Sequence, residues 1–426
     1  MEYIYLGVGL LSGFFEYLGG THMTFGSHYR WVILVVATFA QACACFFVQG
    51  FGSIAVQVQA EMDISNLQLG LLVSAAQLVP LIGLLIAGEL LDRYSERFVV
   101  GIGTIIVGAA LCGAALANSY IELLVLLAIL GLGYSAAQPG GSKSVANWFA
   151  GNQLGFAMGI RQAGLPLGGA MAALLLPFIA TRYSIQAAFL AGGIVAVFGA
   201  AVFMLLYKSP VKIQSNPKKQ LDIRSAITSR LLMATDPTMR NIMLSGASLT
   251  ASQYAISVFL VLYLHTSLGL DGFVATTMFF VVLGAGIAGR IVLAAWSDRC
   301  KAGRYYPVLV CLAAVTVVLI LLPILKTTNL VVVSIFMAVT GFFAYGWYGP
   351  WVAYIAETAP ADRKGFALGM AMTANQISVV LVPPIIGLSR DSLGTFAYGW
   401  GALAIASAIV LFTTSKKKKE VLVAGK

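Results

Sequence analysis

Twelve long apolar stretches, six on either side of one basic segment, constrain this chain more than any other feature. An α-helix rises about 1.5 Å per residue, so roughly 20 apolar residues cross the ~30 Å hydrocarbon layer of a bilayer. The stretches fall at residues 31–57, 66–91, 97–117, 121–148, 153–180 and 184–207, then at 239–264, 272–296, 305–325, 330–356, 364–388 and 396–414. We number them spans 1 to 12. They specify an all-α membrane protein of twelve transmembrane helices in two pseudo-symmetric six-helix bundles. The expected division is an N-terminal extension (1–29), a first bundle (30–207), a linker (208–238), a second bundle (239–414) and a basic tail (415–426).

Composition agrees. Hydrophobic residues make up 59% of the chain and charged ones 10%, against about 25% charged in a soluble domain. The net charge of +10 is a topology signal rather than a nucleic-acid footprint. With the chain start inside, 20 of the 26 Lys and Arg fall in segments on the cytoplasmic side, and only Arg182, Lys326 and Arg390 fall outside. Basic residues flank spans on the cytoplasmic face, so both termini are expected there. Residues 1–29 are apolar but short, carry Glu2, and lack a small-residue cleavage site, unlike a secretory signal. They read as an interfacial segment, or as sequence ahead of a start at Met23. The five Cys form no C-x-x-C pair and the three His lie outside span interiors. Disulfides, a metal site and a cofactor are therefore not expected.

The two halves repeat. GFAMG at 155–159 opens span 5 and GFALG at 365–369 opens span 11, 210 residues later. Gln138-Pro139 in span 4 answers Gly349-Pro350 in span 10, and Asp92-Arg93 after span 2 answers Asp298-Arg299 after span 8. Parallel repeats of six spans are an architecture of secondary transporters, with the substrate bound near mid-membrane between the halves.

The loop after span 2 reads Gly88-Glu-Leu-Leu-Asp92-Arg93-Tyr-Ser-Glu96-Arg97. A Gly, three residues, Asp-Arg and further basic residues at this place resemble the major facilitator superfamily, over residues 30–415. The second copy has Asp298, Arg299 and Arg304, with Ala294 for the leading Gly. A carboxylate at Asp92 can face the positive N-terminus of a helix in the other half. The resemblance implies that Gly88, Asp92, Arg93, Arg97, Asp298, Arg299 and Arg304 belong to a cytoplasmic gate that latches in the outward-open state. Span 5 carries Gly164-Leu-Pro166-Leu-Gly168-Gly169, with the proline one place later than in the superfamily's drug–proton antiporters. Lys143-x-x-x-Asn147-Trp148-Phe149 followed by GFAMGIRQAGLPLGG is similar to bacterial organic-anion, monocarboxylate and nitrate or cyanate porters.

Three cations lie inside spans: Lys143, Arg161 and Arg290. Counting from the span ends, Lys143 is about 7–8 Å deep and the two arginines about 12 Å. Ionisable residues at such depth mark functional sites. No acid falls at comparable depth, so an anionic substrate would supply the missing charge. Arg161 stands out, because the repeat places Ala371 opposite it. Mid-span amides need partners; Gln41, Gln138, Gln253 and Asn375 join Tyr254, Tyr348 and Trp351 as candidate wall residues, and Gln49, Gln77 and Gln376 share the mid-span pattern. The resemblance implies that spans 1, 4, 7 and 10 line the cavity.

The expected function is a secondary active or facilitative transporter of a small organic anion in the cell membrane, working by rocker-switch alternating access as a monomer in the lipid bilayer. An exporter of drugs or neutral metabolites is the alternative. The spans carry no nucleophile–base set for an enzyme, and no G-x-x-x-x-G-K-[ST] phosphate loop for direct use of ATP.

Overall fold

The computed structural model describes residues 25–149, 154–208, 236–358 and 364–423; within them the side chains of Gly88, Asp92, Arg93 and several neighbours lie outside the description. The expected extension up to residue 24, most of the linker, and the last three residues of the basic tail lie outside the described residues as well. What is described is helical apart from short turns. Helix starts are written in the sequence: Ser65, Ser119, Ser184, Asp236, Asp271 and Asn329 each accept a backbone N–H of the first turn.

Eleven helices are long and apolar enough to cross a membrane. The remaining apolar stretch, span 2, is divided into Asn66–Leu78 and Pro80–Arg93. Pro80 has no N–H for the helix ladder, and its ring crowds the carbonyl four residues back. Span 10 is divided likewise at Trp347, between Leu330–Gly346 and Tyr348–Thr358. Span 1 starts at Phe25, inside the segment expected to precede it, and runs through a 3-10 turn Phe51–Ile54 to Met62.

Helix packing repeats between the halves. Span 1 packs on spans 5 and 6, span 2 on 4, and span 3 on 4 and 6; in the second half span 7 packs on 11 and 12, span 8 on 10, and span 9 on 10 and 12. Across the halves, span 2 lies along span 11, span 5 along span 8, and the Phe51–Ile54 turn meets span 7. Exchanging the halves maps the first of these contacts onto the second, which is a pseudo-two-fold.

The two ends of the molecule differ. At the end away from the linker, the carboxylate of Asp391, late in span 11, accepts the backbone N–H groups of Asn66 (3.1 Å) and Leu67 (2.7 Å) and the side-chain amide of Asn66 (2.6 Å). Those N–H groups begin span 2, where unpaired donors and the helix dipole favour an anion. Farther in, Ser74 Oγ donates to the carbonyl of Val380 at 2.6 Å and Gln376 Nε2 to that of Gln77 at 2.7 Å. The backbones touch: a Cβ on Gly387 would lie 2.1 Å from the carbonyl oxygen of Asn66. At the linker end, the Pro80–Arg93 half of span 2 leaves span 11. There, a Cβ on Gly159 or Gly369 would meet nothing within 4 Å. Among the described residues, the halves are closed at the loop end and parted at the linker end.

This closure gives a prediction. In a background without native cysteines, Ser74→Cys places a thiol in the buried seam. Adding Asp391→Ala removes a helix-capping carboxylate, worth about 1–2 kcal/mol when partly buried. Labelling of that thiol from the loop end should rise roughly five- to thirtyfold. An unchanged rate would take Asp391 out of the closure.

Candidate functional site

A cavity of ≈ 160 Å³ lies between the halves, just linker-ward of the closed seam. Spans 1, 2, 4, 5, 7, 8, 10 and 11 all contribute to its wall. From the first half come the amides Gln49, Gln77, Gln138 and Gln162; from the second come Gln253, Asn375 and Gln376. Tyr134, Ser135, Ser142, Thr250, Tyr254 and Tyr348 add hydroxyls. Among the described residues lining the cavity, Arg290 is the one charged side chain.

Arg290 is 5% exposed. Its Nη1 donates to the carbonyl of Gln162 at 2.8 Å, crossing from span 8 to span 5, and its guanidinium carbon lies 5.7 Å from the centre of the Tyr348 ring. Both contacts hold the fork against the wall. Neither neutralises it, and no carboxylate pairs with it among the described side chains. Cation–π contact and a backbone carbonyl are modest compensation for a buried charge.

The other two internal cations sit elsewhere. Arg161 is fully buried behind the wall of span 4. Its Nη2 donates to Gln41 Oε1 (2.7 Å) and to the carbonyls of Gln138 (2.6 Å) and Ala137 (3.3 Å), and its Nη1 to Ser142 Oγ (2.8 Å). Both carbonyls belong to the helix of span 4 and come just before Pro139. The guanidinium packs on Gly141, where a Cβ would lie 2.7 Å from Nη2. Gln41 donates onward to Cys45 Sγ (2.8 Å), which lies 3.2 Å from the hydroxyl of the cavity residue Tyr134. Arg161 thus reaches the cavity through Gln138, Ser142 and Tyr134 rather than by its own side chain.

Lys143 lies nearer the linker end, and it has the counter-ion that spacing along the chain did not provide. Its Nζ is 3.4 Å from Glu96 Oε1 and also donates to the carbonyl of Leu91 at the end of span 2. Glu96, in the first turn of span 3, is buried; it also accepts from Asn147 Nδ2 (3.0 Å) and Tyr207 OH (3.3 Å).

Of the remaining wall candidates, Gln138, Gln253, Tyr254, Tyr348 and Asn375 line the cavity with Arg290, while Gln41 and Trp351 stand behind it. Trp351 is fully buried, donates Nε1 to the carbonyl of Ile242 at 2.9 Å, and backs Trp347 and Tyr348 with ring centres 5.5 and 5.9 Å away. Trp347 donates to Gln253 Oε1 at 3.1 Å. Spacing did not single out Tyr134, Ser142 or Trp347, and gave Gln49, Gln77 and Gln376 only as mid-span amides. Of the gate candidates, Asp298 bonds Arg304 at 2.6 Å within its own loop, Arg304 reaches Glu357 at 3.3 Å, and Arg97 and Arg299 are exposed.

Residues 37–383 match the sequence model described as Major Facilitator Superfamily. An uncharacterized MFS-type transporter of Mycobacterium tuberculosis (strain CDC 1551 / Oshkosh) is 25% identical, over 88% of this chain and 82% of that protein. The hexuronate transporter of Bacillus subtilis (strain 168) is 21% identical over 84% and 86% of the two chains. The cis,cis-muconate transport protein of Acinetobacter baylyi (strain ATCC 33305 / BD413 / ADP1) is 24% identical over 85% and 88%. In fold, the chain is similar to a bacterial homolog of the human lysosomal transporter Spinster in an inward-facing and occupied conformation, with a TM-score of 0.70 at 15% identity over 92% of this chain and 97% of that one.

Arg161→Met should insert and keep its helix content, because the replacement is apolar and of similar length. It should lose about 1–3 kcal/mol of stability in detergent, as four acceptors lose a charged donor. A melting temperature matching the parent protein would show that those acceptors find partners without it.

Proposed function

The chain belongs to the Major Facilitator Superfamily, and we propose that it is a secondary transporter moving a small organic anion across the cell membrane by alternating access. The observation that carries this is Arg290: a buried cation on the wall of the cavity between the halves, with no carboxylate among the described lining residues. A charge at this depth is costly, and an anion entering the cavity offsets the cost. The guanidinium fork suits a carboxylate, which it binds through two parallel hydrogen bonds. Arg161, behind the wall, adds positive potential without competing for the ligand. Relatives named for hexuronate and for cis,cis-muconate, both organic anions, support the same class. A cationic drug would meet Arg290 with no acid to receive it, which disfavours the exporter reading.

The positive-inside distribution puts the linker end in the cytoplasm, so the cavity opens inward in this conformation. The units that rock are residues 30–207 and 239–414, joined by the linker at 208–238. For the cavity to open outward, the Asp391 contact and the span 2–span 11 seam must part, and the linker-end halves of spans 2, 5, 8 and 11 must close. Asp92 and its neighbours then serve as the inner gate. Without a phosphate loop, the driving force is a gradient of substrate or of a co-transported ion.

Purified protein in vesicles tests the reading. Arg290→Gln should abolish uptake of a carboxylate substrate and the thermal stabilisation that the substrate gives. Arg290→Lys should keep part of both, since it keeps the charge but loses the fork. One charged hydrogen bond is worth about 1.5–3 kcal/mol, so binding should weaken roughly ten- to hundredfold. Normal uptake by Arg290→Gln, or stabilisation by cationic dyes with every anion silent, would overturn the proposal.

A further inference from the structure

We infer that the substrate carries a single carboxylate on a body bearing several hydroxyl groups, as in an aldonic or uronic acid, rather than two carboxylates or an apolar acid. This rests on the anion reading above and goes further, to the chemistry of the rest of the ligand.

The cavity wall has an unusual composition for a site at membrane depth. Among the described residues, seven carboxamides and six hydroxyls line it, with one cation. One cation matches one carboxylate. A second carboxylate would have to settle among neutral groups, because Arg161 is turned away into span 4 and Lys143 is held by Glu96. The second acidic end of a dicarboxylate would then pay much of its desolvation cost uncompensated.

The amides speak to the rest of the molecule. Each carboxamide carries both donors and an acceptor, whichever way its oxygen and nitrogen are placed. A carboxylate, a ketone or a lactone can accept from such a group but gives it nothing in return. A hydroxyl does both. The amides also come from both halves: Gln138 and Gln162 on one side, Asn375 and Gln376 on the other. Wall polar atoms such as Gln77 Nε2, Asn375 Oδ1 and Arg290 Nε are buried and make no hydrogen bond within the protein. An apolar ring or chain set against this wall would leave buried polar groups unpaired, which costs more than a good hydrogen bond gains. A site built to pair hydroxyls rejects analogues that lack them far more strongly than an apolar pocket rejects a misfit. Aromatic faces from Tyr134, Trp347 and Tyr348 complete the enclosure. The volume fits one ring, since a cavity of about 150 Å³ accepts a single six-membered carbon ring.

Ligand-induced thermal stabilisation and uptake into vesicles, with the full-length protein, test this using five probes at matched concentration: D-galacturonate, galactarate, cis,cis-muconate, cyclohexanecarboxylate and the neutral methyl β-D-galactoside. D-Galacturonate should bind at least about tenfold more tightly than each of the other four. Gln138→Leu and Gln162→Leu, at positions facing the cavity from different spans, should each bring the ratio of galacturonate to cyclohexanecarboxylate affinity close to one. If muconate, galactarate or cyclohexanecarboxylate binds as well as galacturonate or better, the inference is overturned while the anion reading stands. If the neutral galactoside binds and all four acids are silent, the anion reading itself fails, and this inference with it. A ratio that both variants leave intact would also overturn it, since the amides would then have no part in selecting the ligand.

Discussion

Hydrocarbon offers no hydrogen bonds, and the arrangement of this protein follows from that constraint. Large apolar side chains such as Phe156, Phe178, Ile194 and Phe198 face outward, where lipid covers them. Polar side chains at mid-span have to find partners between helices. Arg161 shows how far this goes. It is a fully buried cation whose hydrogen bonds run to an amide, a hydroxyl and two carbonyls, all neutral. Two of those acceptors are backbone carbonyls of span 4 just ahead of Pro139. Arg290 has a single carbonyl and an aromatic face. The difference in compensation, more than the difference in depth, separates a cation that holds the scaffold from one that can hold a ligand.

The same chemistry ties the cavity to the movement of the halves. Gln77 lies on span 2 just before the break at Val79, and Gln376 lies on span 11; both line the cavity, and they bond each other across the halves at 2.7 and 3.1 Å. A ligand that engages either amide competes with a contact that keeps the loop end shut. Beyond the break, the second part of span 2 has already left span 11. On the proposed function, substrate occupancy and closure would bear on the same side chains, Gln77 and Gln376.

Much of the fold was legible in the sequence because lipid imposes a long, simple period. Span positions, the repeat and the family followed from runs of apolar residues and three matched motifs. What the runs concealed was local. The breaks at Val79 and Trp347 lie inside apolar stretches, and a hydropathy sum does not register them although Pro80 and Pro350 are in plain view. The site was half legible: polar residues at mid-span marked Gln138, Gln253, Asn375 and Arg290, since such residues need an interior reason. Spacing along one helix gives depth but not which way a side chain turns in the bundle, so Arg161 stood out as the leading cavity cation, whereas it is Arg290 that lines the cavity and Arg161 lies behind its wall. The burial and pairing of Glu96 escaped notice for a related reason. Its partners Lys143, Asn147 and Tyr207 come from spans 4 and 6, and one-dimensional spacing cannot bring them around a carboxylate that sits between Arg93 and Arg97 in the chain.

Spans 2 and 11 carry the alternation in a form that electrostatics makes concrete. They run in opposite directions and lie together over the first half of span 2, so the start of span 2 stands beside the end of span 11, and the end of span 2 points toward the side where span 11 begins. At the loop end, Asp391 from the end of span 11 caps the start of span 2. At the linker end the roles exchange: Asp92 ends span 2, and span 11 begins at Lys364 with its own unpaired N–H groups. A rigid rocking motion brings one end together only as it separates the other. In the proposed cycle, Asp391 would leave its helix terminus as Asp92 reaches one at the other end, so one cap would be exchanged for a chemically equivalent one. On that proposal the two states would be held by interactions of the same kind. That keeps them close in energy, so the free energy of a bound anion, a few kcal/mol at most for a small ligand's differential contacts, is enough to move the equilibrium between them.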